Sequence, residues 1–184
     1  MSVPKGKRKP SQFEVFHHLT FLRKDITDLL LRDFGYSPEK AKEKLSRRFG
    51  GKDYDDLSGV DKTLYDRILQ KHGSFEEWFI IGEREIVIDC LRKIGEHVYT
   101  ANSIYPTCMR ELEERRLQQD LAIGQCYRLV QELQYAIETL PVDVNVYLRF
   151  AAQIQKEIDL IKGWRKSDNK FKRAISEPPP TLPM

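Results

Sequence analysis

The sequence predicts an all-α protein, an up-down-up-down four-helix bundle with a small helical insertion between the first and second long helices. Two observations lead to this prediction. Apolar residues recur at intervals of three and four along four long segments, and short turns containing proline or glycine separate the segments. No segment alternates apolar and polar residues convincingly over the length of a strand. Long amphipathic helices joined by short turns pack as a bundle.

The first helix follows a basic arm, residues 1–10, which we expect to be disordered until a partner binds it. Ser11 and Glu14 have the spacing of a capping box, in which each side chain accepts a hydrogen bond from a backbone amide at the start of the helix. The apolar stripe continues to about Phe34, and Gly35 suits the left-handed position after the final turn. The stripe consists of Phe13, Phe16, Leu19, Leu22, Ile26, Leu29 and Leu30.

Residues 36–73 have a weaker pattern and form the predicted insertion. Ser37 and Pro38 start a short helix that ends before Gly50, and a polar loop follows. A second short helix then begins near Val60 and stops at Gly73. We expect these small helices to pack on the larger bundle.

The second long helix opens at another capping box, Ser74 to Glu77, and ends near Pro106. This is a rod of about thirty residues, or roughly 45 Å, and Trp78 belongs to its apolar stripe. The third helix runs from near Thr107 to Leu140. Its first half is strongly polar, so we expect that half to project an exposed face.

Asp143 is the predicted N-cap of the last long helix, whose stripe repeats cleanly up to Ile161. The helix should run to about Asn169 or slightly beyond, and the bundle should end at residue 173. The proline-rich residues 174–184 cannot continue a helix and are predicted to be a flexible, extended tail.

The positive charge of the chain is concentrated near its two ends. Residues 1–10 carry +4 and residues 162–173 carry +5, whereas the whole chain carries only +3, so the remaining body is acidic. Such localised charge indicates an anionic partner such as nucleic acid. Solvated basic tails without a ligand are the alternative.

Several classes of protein are disfavoured. No apolar run approaches the roughly 20 residues of a membrane span, and the basic N-terminus lacks the apolar segment of a signal peptide, so we predict a cytoplasmic protein. Three cysteines without C-x-x-C spacing favour buried thiols over a disulfide framework or a zinc site. A di-metal bundle needs two Glu-x-x-His pairs, and only Glu14 and His17 have that spacing. We therefore predict neither a cofactor nor a catalytic site.

The basic C-terminal segment is the stronger functional candidate. On a continuous helix, five basic residues fall at steps of three or four and share a face: Lys162, Arg165, Lys166, Lys170 and Arg173. Trp164 lies among them and can either stack on a base or pack at the end of the bundle. Contacts from this face to phosphates would carry no sequence specificity but would depend strongly on salt.

With these residues in view, the chain resembles the accessory variability determinant (Avd) proteins of diversity-generating retroelements, in particular longer members with a basic N-terminal arm. The matching segments span the first helix and the last three, whereas residues 36–73 depart from the compact family pattern. They are Gly6–Glu14, Asp33–Gly35, Asn102–Pro106, Leu140–Asn145 and Lys162–Asn169.

This resemblance implies a non-enzymatic four-helix-bundle subunit of a barrel-shaped homopentamer. Such proteins bind the reverse transcriptase of the element and its template-repeat RNA, and support the error-prone cDNA synthesis that diversifies a target gene. By analogy, the residues expected to contact polymerase or RNA are Lys5, Lys7, Arg8, Lys9, Arg115, Arg116, Arg149, Lys162, Trp164, Arg165, Lys166, Lys170, Lys172 and Arg173.

Two other functions stay open at this point. The chain could be a small helical nuclease or toxin in which Asp53, Asp55 and Asp56 bind a metal, although these aspartates lie in a loop without the strands that hold a polymerase aspartate motif. It could also be a structural interaction bundle related to the ribosomal-RNA intervening-sequence proteins.

Overall fold

The computed structural model describes residues 12–176, except for the side chains of residues 12, 13 and 71–76. The N-terminal arm, the Ser11 cap and residues 177–184 of the predicted tail lie outside the described residues. Within the described part the chain is all-helical and contains no strand, which confirms the predicted class. The six α-helices are α1 (Gln12–Leu30), α2 (Pro38–Arg48), α3 (Gly59–Ser103), α4 (Met109–Thr139), α5 (Val144–Ser167) and α6 (Asn169–Ser176).

The chain reverses after α1 through a left-handed turn. The helix ends at Leu30 rather than near Phe34, because Asp33, Phe34 and Gly35 all have positive φ angles and form a single 3-10 turn. Two contacts hold the turn in place. Arg84 of α3 donates to the carboxylate of Asp33, and the Tyr147 hydroxyl of α5 donates to the carbonyl of Phe34 at 2.7 Å.

The largest departure from the predicted elements is α3. A single helix of 45 residues runs from Gly59 to Ser103, so the predicted break at Gly73 and the new start at Ser74 are wrong. Glycine inside a helix costs only about 1 kcal/mol relative to alanine, and one such residue does not end a long helix. The rod is about 68 Å long at 1.5 Å per residue, and its N-terminal third replaces the second helix of the predicted insertion.

Side-chain caps explain the starts of α2, α3 and α5. The Ser37 side chain accepts from the amide of Lys40 and the Ser58 side chain accepts from that of Asp61, so each serine starts a helix. Asp143 caps α5 as predicted, because its carboxylate accepts from the amide of Asn145 at 2.9 Å. The final helix α6 includes residues 174–176, which the sequence assigned to the tail.

One main core collects buried side chains from α1, α3, α4 and α5. Helix α4 packs most extensively on α3, while α5 packs on both α4 and α1. A separate cluster of Leu45, Leu57 and Tyr65 joins α2 to the first part of α3. We call residues 36–70 the small lobe. Its cluster consists of three buried residues, whereas the main core is a much larger set of buried side chains.

Two predictions about burial are corrected. Trp78 is 70% exposed, because the buried stripe of α3 turns toward the main core only from Phe79 and Ile80 onward. The polar first half of α4 does not form an entirely exposed face, since it buries Leu112, Arg115 and Gln119. Among the described helices, none combines the length and apolar character that crossing a membrane requires.

Candidate nucleic-acid interface

The basic C-terminal segment is anchored by a buried polar cluster at the joint between α5 and α6. Asp168 separates the two helices and is only 1% exposed. Its carboxylate accepts from Arg115 Nε at 2.8 Å and from Arg115 Nη2 at 3.3 Å, and Gln119 Nε2 donates to it at 2.9 Å. A charge-assisted pair of this kind is strong because both ions are shielded from water and hydrogen-bonded.

Arg115 also connects the joint to the turn between α3 and α4. Its Nη1 donates to the carbonyl of Ala101 at 3.0 Å and to that of Ile104 at 2.7 Å. The guanidinium lies over the Trp164 ring, 4.9 Å from the ring centroid. One side chain thus binds two of the sequence segments that carry the family resemblance, Asn102–Pro106 and Lys162–Asn169.

Arg115 and Trp164 are therefore corrected as candidate contact residues. Arg115 is 4% exposed and its donors already face internal acceptors, while Trp164 is 2% exposed within the main core. Neither side chain is available to a phosphate or a base. Their role is to fix the segment that carries the exposed cations.

The remaining cations of the segment are exposed. They lie on two helices rather than on one continuous helix face, because α5 ends at Ser167 and α6 begins at Asn169, with Asp168 between them. Lys166, Lys172 and Arg173 have no ion-pair partner among the described residues. Arg165 pairs with Asp120 at 2.8 Å on a half-exposed surface, and such pairs contribute about 1 kcal/mol at most. A phosphate can replace that aspartate. The exposed cations are Lys162, Arg165, Lys166, Lys170, Lys172 and Arg173.

Aromatic rings accompany two of these lysines. Lys162 Nζ lies 3.2 Å from the Tyr127 hydroxyl and 5.8 Å from the centroid of its ring, and Tyr127 is itself about half exposed. Lys170 Nζ lies 4.9 Å from the centroid of Phe171. Cations beside partly exposed rings suit single-stranded nucleic acid, which offers both phosphates and bases that can stack.

The other predicted contact residues do not all lie near the basic C-terminal segment. Arg116 is half-buried at the edge of the segment and donates to Asn169 Oδ1 at 2.7 Å. Arg149 is exposed but stacks on Phe150, and it lies about 20 Å from Lys162 along α5 at 1.5 Å per residue. The structure therefore brings Arg116 to the cluster and leaves Arg149 apart. Lys5, Lys7, Arg8 and Lys9 lie outside the described residues.

Buried titratable groups form a second chemical feature, inside the main core. His18 Nδ1 lies 2.7 Å from Glu157 Oε2, and burial raises the pKa of Glu157 to about 8. Burial, and then the charges of Lys156 and His17, lower the pKa of His18. Both shifts thus favour the uncharged form of the two groups.

Among the described residues, no group of three or more histidine, cysteine or acidic side chains is arranged to hold a metal ion. The aspartates of the loop, Asp53, Asp55 and Asp56, are exposed around a 3-10 turn. Cys90 and Cys126 are buried as expected, and burial raises the pKa of both thiols. Cys108 is exposed, so the prediction of a buried thiol is wrong for that residue.

Sequence reasoning missed the buried cluster itself. The only acid within residues 162–173 is Asp168, and a single carboxylate among six cations is the signal that could have identified it as a structural anchor. Gln119 offers no comparable signal, because glutamine is common on exposed helix faces.

No family model matches the chain, and no curated protein or solved structure matches it either.

Proposed function

We propose that this protein is a non-catalytic accessory factor that binds a retroelement reverse transcriptase and its RNA template, and that it supports mutagenic cDNA synthesis. The observation that carries the proposal is the exposed cationic segment from Lys162 to Arg173, held in place by the buried Arg115–Asp168 pair. An accessory factor needs a fixed surface that accepts a strand of any sequence. Exposed cations on a fixed joint provide such a surface.

The geometry favours phosphate recognition over recognition of particular bases. Five of the six exposed cations lie within nine residues, Arg165 to Arg173, on the two helices that meet at Asp168. Long, exposed lysine and arginine side chains contact the negative backbone and adapt to its path. Contacts of this kind position a template without selecting its sequence, as error-prone copying of variable regions requires.

We further propose that α1, α3, α4 and α5 form the four-helix-bundle subunit of a cytoplasmic homopentamer, with the small lobe as an addition. One core shared by these four helices supports the bundle. An apolar groove of about 180 Å³ between α4 and α5 supports assembly, because Leu148 at its edge is 62% exposed and Val144 is half exposed. Exposed apolar groups of this kind are typical of surfaces that another protein covers.

The direct test is RNA affinity as a function of salt concentration, measured with a fluorescent single-stranded RNA of twenty nucleotides. We compare the wild-type chain with the double variant Lys166→Gln/Lys170→Gln. Each phosphate contact contributes about 0.7 to the slope of log affinity against log salt for single strands, so the variant should lose roughly 1.4 from that slope.

The matched control is Lys24→Gln/Arg92→Gln, which removes the same charge from exposed positions on α1 and α3 outside the segment. It should bind as the wild type does, apart from a small uniform weakening. If both double variants lost the same RNA affinity, the loss would come from net charge alone and not from contacts of the C-terminal segment. Absence of RNA binding by the wild type at low salt would overturn the proposal.

A further inference from the structure

A second row of cations lies on α2, far from the C-terminal segment. Lys40, Lys44 and Arg47 are spaced by four and three residues and therefore share one face of the helix. This face lines an open cleft of about 520 Å³, whose other wall is the turn from Leu140 to Asp143 between α4 and α5. We call it the α2 cleft. Nothing in the proposed function uses it.

The cations of the α2 cleft are accessible to a ligand. All three are exposed, and Lys44 has no ion-pair partner among the described residues. Among the residues that the structure describes, Lys40 Nζ donates to a single acceptor, the carbonyl of Gly35, at 3.3 Å. Arg47 pairs with Glu43 at 2.6 Å, but both side chains are largely exposed, so the pair is weak and a phosphate can displace the glutamate.

The opposite wall of the cleft offers a fixed surface. Leu140 is buried in the main core, and Asp143 accepts the capping hydrogen bond of α5. Asp143 and Glu43 are the acidic residues that line the cleft, and the first is committed to its cap. Helix α2 as a whole carries five basic residues against two acidic ones, which leaves it net positive by three. The lining of the cleft carries three cations against two carboxylates, and Lys42 and Arg48 of the same helix add two positive charges beside it, so this surface attracts an extended anion.

The position of the cleft identifies the kind of anion. Helix α5 begins beside the cleft at Val144 and ends at Ser167 within the C-terminal basic segment, so the two basic surfaces are about 36 Å apart at 1.5 Å per residue. Phosphates along one strand of a nucleic-acid duplex repeat about every 3.4 Å. A strand of about ten phosphates can therefore reach from one surface to the other, whereas a short acidic peptide or a free phosphate would occupy only one.

We propose that the α2 cleft is a second phosphate-binding surface, which holds the same nucleic-acid strand as the C-terminal basic segment. This inference rests on the proposed function, because it extends the RNA path along the protein. It assigns the small lobe a role in binding the template.

The test compares an RNA of five nucleotides with one of twenty, using the wild-type chain and three matched double variants. Lys40→Gln/Lys44→Gln removes two cations from the cleft, Lys166→Gln/Lys170→Gln removes two from the C-terminal segment, and Lys24→Gln/Arg92→Gln is the control. Circular dichroism and the unfolding midpoint of each variant check that the exposed substitutions leave the fold intact. Affinity is measured at several salt concentrations.

We expect the wild type to bind the long RNA at least tenfold more tightly than the short one, because only the long strand engages both surfaces. The cleft variant should lose most of this advantage and about 1.4 of the salt slope on the long RNA. If the cleft variant matches the control while the C-terminal variant weakens, this inference is wrong and the proposed function stands. If neither variant differs from the control, both are wrong.

Discussion

The two basic surfaces of this protein are held in place in different ways. The C-terminal segment is joined to the main core by a buried ion pair and a buried tryptophan, through Arg115, Asp168 and Trp164. Helix α2 instead rests on the cluster of Leu45, Leu57 and Tyr65, whose residues are 7–9% exposed. In the C-terminal segment, removal of either Arg115 or Asp168 leaves the other charge buried without its partner. In the small lobe, α2 can separate from α3 when only a small apolar area becomes exposed to water.

This difference predicts different dynamics for the two surfaces. Opening the C-terminal joint exposes a charge pair and disturbs the main core, so it should require nearly global unfolding. Opening the small lobe exposes only a few apolar side chains and should occur well below the free energy of global unfolding. The C-terminal surface is thus the fixed one, and the α2 surface is the adaptable one.

The largest expected effect comes from breaking the buried pair. Arg115→Met leaves the Asp168 carboxylate buried without its cation, which should lower the free energy of unfolding by about 3–5 kcal/mol. Urea denaturation measures the change. Arg116→Met is the matched control, since Arg116 has a surface contact to Asn169, and it should cost less than about 1 kcal/mol.

A second variant separates the ion pair from the packing around it. In Arg115→Met/Asp168→Leu both charges are replaced by apolar side chains, and much of the lost stability should return. If Arg115→Met alone is as stable as the wild type, the joint is not anchored as we describe.

The next effect compares the two apolar clusters directly. Ile154 is fully buried in the main core, and Ile154→Ala should lower the global free energy of unfolding by about 3 kcal/mol. Leu45→Ala removes a similar volume from the small lobe. It should change global stability by less than about 0.5 kcal/mol, while hydrogen exchange of the α2 amides accelerates at least tenfold. Equal global losses would show that the lobe and the main core unfold together.

An effect of intermediate size is the change of the free energy of unfolding with pH, which arises from acidic groups buried in the main body of the protein. Burial raises the pKa of Glu157 to about 8 and that of Glu83 to about 7, and the neighbouring Glu132 adds to the second shift. The folded protein then keeps protons that the unfolded chain has released, so stability falls as pH rises. We expect a loss of about 2 kcal/mol or more between roughly pH 6 and pH 9 in urea denaturation.

Glu157→Gln isolates one of the two groups. The amide keeps the shape of the side chain and does not titrate, so the variant should show a clearly smaller loss of stability over that pH range. The small lobe lacks such buried acids among its described residues, and its exchange rates, corrected for intrinsic chemistry, should not follow pH in this way. A variant with the slope of the wild type would contradict the assignment to Glu157.

The smallest effect is expected at the surface of the C-terminal segment. Arg165→Gln breaks the half-exposed pair with Asp120 and should change the free energy of unfolding by less than about 0.5 kcal/mol. RNA affinity should nevertheless fall, since the same side chain faces the proposed ligand. A large loss of stability would mean that Arg165 anchors the joint together with Arg115.

Local patterns in the sequence predicted much of the fold, because caps and apolar spacing act over one or two turns. The sequence predicts an N-cap at Asp143 and a helix start at Ser37 and Pro38, and the side chains of Asp143 and Ser37 both accept from a backbone amide of the first turn. The sequence does not indicate that α3 continues through Gly73, because a glycine marks a possible helix end but lowers helix propensity by only about 1 kcal/mol.

The sequence predicted the exposed cations of the candidate site but not its buried anchor, because only the exposed cations follow from a local pattern. Charge clustering located the exposed lysines of α5 and α6, which need no tertiary partner to be recognised. The burial of Arg115 depends on Asp168, 53 residues later in the chain, and spacing along one helix cannot indicate such a contact. The α2 cleft arises only when the helix meets the turn at Pro141 in three dimensions.

The proposed function requires that this chain binds a reverse transcriptase and its RNA. The most direct measurement is co-purification with the reverse transcriptase of a candidate element, with the mass of the complex determined before and after nuclease treatment. We predict a complex that contains several copies of this chain with the polymerase, and a mass that decreases when RNA is digested. If the chain elutes as a monomer, without polymerase and without RNA, the proposed function is wrong.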